Sequence, residues 1–133
     1  MSAEIALVAA IRAAAMDDAG VQAIIGDRFY DDPPPGVTFP YITIGRVESR
    51  PIDASEREAL EHGLTLHVWS RYGGRAEALQ VIAALRGCLH NAGLNVTDRR
   101  LVLLFAQFAD VFRSGDGITT HGVLRLKAIT ESE

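Results

Sequence analysis

Cysteine is almost absent. Cys88 stands alone in 133 residues, so one chain can close neither an internal disulfide nor a cysteine-built metal site. It falls on a helical stripe and reads as a small buried hydrophobe. Runs of basic residues are missing too: no stretch of Lys or Arg exceeds two, and the formal net charge is −4. A dedicated nucleic-acid binder carries a basic stripe that displaces counterions from phosphate, and this chain has none. No segment approaches the apolar length needed to cross a bilayer. No basic region opens the N-terminus, and Glu4 precedes its apolar run, so no secretory signal is expected and folding in the cytoplasm follows. Repeats and long low-complexity tracts are lacking. What is present is ordinary globular composition, 48% hydrophobic and 23% charged. That suits one compact domain, residues 1–133, burying about two-thirds of its unfolded surface.

Catalytic sets are also missing. His62, His67, His90 and His121 are scattered, and no pair has the i, i+4 helical spacing that zinc hydrolases use. The carboxylate pairs Asp17 with Asp18, Asp31 with Asp32, and Glu56 with Glu58 sit in turns or charged stretches, where solvation explains them. No serine lies in a Gly-x-Ser-x-Gly elbow, and a thiolate at Cys88 is disfavoured by burial. Gly73 and Gly74 precede a helix beside Arg71 and Arg75, but they lack the spacing and lysine of a phosphate-binding loop and read as a strand-to-helix turn. No cofactor or metal is expected, and no enzyme.

The positive signals are periodic. Ser2 can cap a helix carrying Ile5, Val8, Ile11 and Ala15, with alanine-rich filling of high helix propensity. Asp17 and Asp18 restart the pattern as a short turn over Val21–Ile25, which Gly26 ends, and Arg28, Phe29 and Tyr30 form a brief extended piece. Pro33, Pro34 and Pro35 make a stiff surface connector that cannot donate backbone hydrogen bonds. Pro40 admits a strand over Tyr41–Val47. Arg50–Gly63 reads as a charged, solvated loop, able to order on contact with a partner. Ser55 and Glu58 have capping-box spacing there, without the apolar stripe that would sustain a helix. Leu64–Ser70 alternates as a strand, Gly73 and Gly74 break it, and a second main helix spans about Arg75 to His90 on a stripe of Ala78, Ile82, Leu85 and Leu89.

Residues 101–130 then form a long two-stranded ribbon, Leu101–Arg113 and Ile118–Ile129, joined by Ser114, Gly115, Asp116 and Gly117. Its first arm is apolar on both alternating faces. Val102, Leu104, Ala106 and Phe108 fall on one, and Leu101, Leu103 and Phe105 on the other, which implies a cover on both sides. On the second arm Gly122, Leu124, Leu126 and Ala128 belong to the core. His121, Val123, Arg125, Lys127 and Ile129 face the other way. The sum is an α+β domain: a four-stranded, largely antiparallel sheet covered by two main helices, with a long C-terminal β-hairpin.

Several segments taken together resemble the tail-completion, or tail-terminator, family of long-tailed bacteriophages and phage-like gene transfer agents. They are Gly26, Asp27, Arg28; Phe39, Pro40, Tyr41, Ile42; His67, Val68, Trp69, Ser70, Arg71; and Asp116, Gly117 followed by His121, Gly122, Val123, Leu124. Each is weak alone, and only their succession, spanning nearly the whole chain, is specific. The resemblance implies a non-enzymatic virion protein that forms a hexameric ring at the head-proximal end of the tail tube, stops tube growth and joins tail to head. Its implied partners are further copies of itself, the major tail tube protein and a head-tail connector or stopper protein, with DNA passing unbound through the lumen and no membrane involved. An acidic ring repels phosphate and suits that passage. A ring needs one patch to meet a different patch on the next copy. Pattern nominates Arg46, Glu56, Arg57, Glu58, Trp69, Arg71, Asp116, His121, Arg125 and Lys127 for subunit or partner contacts. The other reading of the residues is a small dimeric ligand-binding or regulatory domain, with a pocket between sheet and helices.

Overall fold

The chain is described by a computed structural model covering residues 2–52 and 57–133. Glu56, one of the nominated contact residues, and Ser55 of the capping-box spacing lie outside the described residues.

Local chemistry sets each element. Ser2 accepts a hydrogen bond from the amide of Ile5 and caps α1, Ala3–Asp17. Asp18 ends α1 and starts α2, Ala19–Ile25, its carboxylate accepting from the amide of Val21 at 3.0 Å. The stretch expected as a turn is therefore a second short helix. Arg28 fastens the next segment: its guanidinium donates to the carbonyls of Pro40 and Ile24, and its own carbonyl accepts from the amide of Ile42. This aligns β1, Phe29–Tyr30, parallel to β2, Tyr41–Ile52. Next come β3, Ala59–Ser70; α3, Ala76–Leu89; β4, Arg99–Arg113; and β5, Thr120–Ser132.

The strands order as β1-β2-β3-β5-β4, with every neighbouring pair antiparallel except β1 with β2. Among the described residues the sheet thus has five strands and is mixed rather than four-stranded, because the brief piece at residue 29 joins it. Within the expected loop Arg50–Gly63, residues 50–52 and 59–63 are strand, and residues 53–56 lie outside the described residues. Arg50, Pro51 and Ile52 pair with Glu61, Leu60 and Ala59. Arg50 and Glu61 sit on a sheet face that needs no apolar residue.

Helices α1, α2 and α3 each contribute to the core on one face. Leu7 and Ile11 of α1, Val21 and Ile25 of α2, and Val81, Ile82, Leu85 and Leu89 of α3 bury against Ile42, Leu64, Leu66, Val68, Leu104, Leu124, Leu126 and Ala128. Gly122 lets α3 come close, since a Cβ there would lie 3.2 Å from Cβ of Val68 and 3.5 Å from Cδ1 of Ile82. Cys88 is half-buried on α3, and burial pushes its thiol up to about 11.

The first arm of the ribbon differs from its expected alternation. Bulges between Leu101 and Leu103 and between Ala106 and Phe108 each insert one residue against β5. Leu104 and Ala106, opposite Ala128 and Leu126, stay on the helix face. Beyond the second bulge Ala109 and Val111 take that face, while Phe108 joins Phe105 and Phe112 on the other. Val102 falls in the first bulge and is exposed. One face of β4 is therefore dry, and the second is uncovered.

Candidate functional site

The uncovered face of the sheet gathers five of the ten nominated residues, Arg46, Trp69, His121, Arg125 and Lys127. Register alone builds its main feature. Tyr41 pairs with Trp69, Trp69 with His121, and His121 with Phe112, so one row of rings crosses β2, β3, β5 and β4. Ring centroids are 6.4 Å apart for Tyr41 and Trp69, 4.1 Å for Trp69 and His121, and 4.9 Å for Phe112 and His121. The indole N–H of Trp69 donates to the Thr43 hydroxyl at 2.9 Å, which fixes the ring.

Behind this row, His67 Nδ1 and His121 Nε2 share a hydrogen bond of 2.7 Å. Burial lowers the pKa of both; at His121 the neighbouring His67 lowers it further, while Asp110 opposes. A Cβ at Gly45 would collide with the His67 ring and lie 3.3 Å from the Thr65 carbonyl, so only glycine admits the imidazole there. The two histidines are 54 positions apart, and no local spacing announces them. Among the described residues no third ligand joins them to form a metal site.

Further along, the face becomes charged. Glu61 bridges Arg50 at 2.7 Å and Lys127 at 3.0 Å, and those two partners hold its carboxyl below the usual range. Lys127 is thus engaged within its own chain. Arg125 lies over the ring of Phe108, 4.9 Å from its centroid. Arg46 is exposed on β2 beside a hollow of about 530 Å³ that also touches His67, Gln107 and Arg125; an adjoining hollow of about 430 Å³ is lined by Arg50, Glu61, His62 and Lys127. Because Glu48 of β2 and Gln107 of β4 line both, the sheet curls around its open face.

Other nominated residues lie elsewhere. Arg71 packs over Phe39 and donates to the Thr119 hydroxyl at 3.2 Å. That hydroxyl donates to Asp116, whose carboxylate also accepts from the amides of Ile118 and Thr119. These bonds, the Thr119 amide foremost, hold Asp116 down to about 2. Asp116 therefore organises its own turn. Arg57 and Glu58 sit at the opposite end of the sheet, where Arg57 donates to the carbonyl of Ser132 and the amide of Ser132 donates to the carbonyl of Glu58.

One buried group escaped the sequence reading. His62, 1% exposed on the helix side of β3, contacts the Ser49 hydroxyl through Nδ1 at 2.7 Å and the Thr130 hydroxyl through Nε2 at 2.8 Å. Arg99 also donates to Thr130. Both ring nitrogens face hydroxyls and neither faces a carboxylate, so the set satisfies a buried imidazole and does not form an oriented nucleophile and base.

Comparisons with known proteins give three findings. The sequence profile of the family described as tail completion protein gp17 matches residues 9–131. A chain from the virion of a native gene transfer agent particle superposes with a TM-score of 0.90 at 26% identity, over 98% of each chain. The gp17 protein of bacteriophage SPP1 superposes with a TM-score of 0.62 at 23% identity, over 95% of this chain and 89% of that one, and shares the fold. No curated protein sequence matches.

Proposed function

The chain belongs to the tail completion protein gp17 family, a family of structural phage tail proteins, and on that premise we propose that it forms a ring capping the head-proximal end of a phage-like tail tube. The ring terminates tail growth and joins the tail to the head. Its partners are further copies of the same chain, in a hexamer, then the major tail tube protein below and a connector or stopper protein above. DNA passes through the lumen without specific binding, and assembly takes place in the bacterial cytoplasm. The observation that carries this reading is the end-to-end likeness to a chain of a gene transfer agent virion.

The surface supports it. An uncovered sheet face bearing rings and charges suits contacts with other proteins, whereas buried side chains fill the layer between sheet and helices where a ligand pocket would have to lie. Among the described residues no helix is long and apolar enough to cross a membrane. The test removes the chain from assembling particles. Tails of uncontrolled length that remain unjoined to heads are the expected result under the electron microscope, together with closed rings from the purified chain at high concentration. Tails of normal length joined to heads without it would overturn the reading.

A further inference from the structure

Phe105, Phe108 and Phe112 line the uncovered face of β4, the strand at one edge of the sheet, with 39%, 47% and 39% of their surface exposed. Arg125 lies over Phe108, and Arg113 is exposed at the end of the strand. At the opposite edge, between β1 and β2, stand Asp31, Asp32 and the three prolines 33–35, with both acids, Pro34 and Pro35 exposed. None of Asp31, Asp32, Arg113 and Arg125 has an ion-pair partner among the described residues.

We propose that the phenylalanine stripe of one copy receives the acidic proline segment Asp31–Pro35 of the next, as the repeating contact of the ring; the inference rests on the ring reading above. Three observations carry it. The two surfaces lie on opposite edges of the same sheet, which is what a head-to-tail contact requires. Their chemistry is complementary: a proline run has no amide to offer a strand edge but packs readily on aromatic faces, and its acids meet Arg125 and Arg113. Finally, strand addition is already blocked where the stripe begins. The outward carbonyl of Leu104 accepts from the amide of Asn91 at 2.8 Å, and the outward amide of Ala106 donates to His90 Nδ1 at 3.0 Å. Side-chain docking is what this edge still offers. Asp110, between Phe108 and Phe112 on the same face, keeps the incoming acids at the arginines and away from the middle of the stripe.

Two variants of the full chain test it by sedimentation velocity: Phe105→Ser with Phe108→Ser and Phe112→Ser, and Asp31→Lys with Asp32→Lys. Each weakens self-association by at least about tenfold. Mixed in equal amounts they form a heterodimer and nothing larger, because each retains the surface the other has lost. Should the serine variant fail to fold, Arg113→Glu with Arg125→Glu replaces it, and combining that pair with the lysine pair in one chain restores assembly. If the wild type forms closed oligomers and both variants do so equally well, the contact is wrong and the ring stands. If the mixture of the serine and lysine variants gives no heterodimer, or the chain carrying both charge-reversed pairs does not assemble, the head-to-tail pairing is wrong. A wild-type chain that stays monomeric at every concentration overturns the ring and the contact together.

Discussion

The two faces of β5 are made by alternate residues of one strand, yet they obey different rules. Thr120, Gly122, Leu124, Leu126, Ala128 and Thr130 point toward the helices and are buried or nearly so. His121, Arg125 and Lys127 point the other way among rings and ion pairs that remain in reach of water. The first set determines whether the chain folds, and the second leaves the folded chain able to recognise something. Stability and assembly are thus carried by interleaved positions, and substitutions can separate them.

The largest effect should come from Leu124→Asp. It places an unpaired charge in a fully buried site, at a cost above about 4 kcal/mol, and circular dichroism should show an unfolded chain. His62→Ala tests the polar end of the same face. Leaving the Ser49 and Thr130 hydroxyls without their imidazole costs about 1–3 kcal/mol in urea denaturation. On the other face, the His67–His121 pair gives a smaller, pH-dependent effect. Burial holds both below their ordinary 6.5 in the folded chain, so the unfolded chain takes up protons first. Stability is complete above about pH 6.5 and falls as the pH drops below it. A melting temperature that declines between pH 7 and 5, with His121→Gln flattening the slope, is the expected record. The smallest effect on folding belongs to Phe108→Ser, within about 0.5 kcal/mol on thermal denaturation. A larger loss would mean that the stripe stabilises the monomer itself, and the division between the two faces would be less sharp.

Much of the buried face was legible in the sequence. The Ser2 cap, the stripe Ala78, Ile82, Leu85 and Leu89, and the alternation of Leu124, Leu126 and Ala128 are local patterns, and they reappear in the structure as read. The sheet was less so. Two residues are too few to carry a period, so Phe29 and Tyr30 read as a brief extended piece and not as a fifth strand. Charges and Pro51 disguised the facing ends of β2 and β3 as a loop, since a strand with an open face can alternate charge where a core strand cannot. The site suffered most. Trp69, His121, Arg125 and Lys127 were legible as outward-facing residues. That His67 meets His121, that Lys127 is held by Glu61, and that Asp116 secures its own turn all depend on register and turn geometry, which no local spacing encodes.

Gln107 shows how much one residue can decide. It is the extra residue between Ala106 and Phe108, opposite no partner of its own on β5. Between the first bulge and Gln107, the even-numbered Leu104 and Ala106 of β4 face the helices; after it, the odd-numbered Ala109 and Val111 do. Were Gln107 instead paired in regular register, the change would act on the facing of the strand as a frameshift acts on a message. Phe108, Asp110 and Phe112 would be turned into the core and Ala109 and Val111 out of it, so that closing this one bulge with its residue kept would exchange the inside of the protein for its outside along the end of the strand.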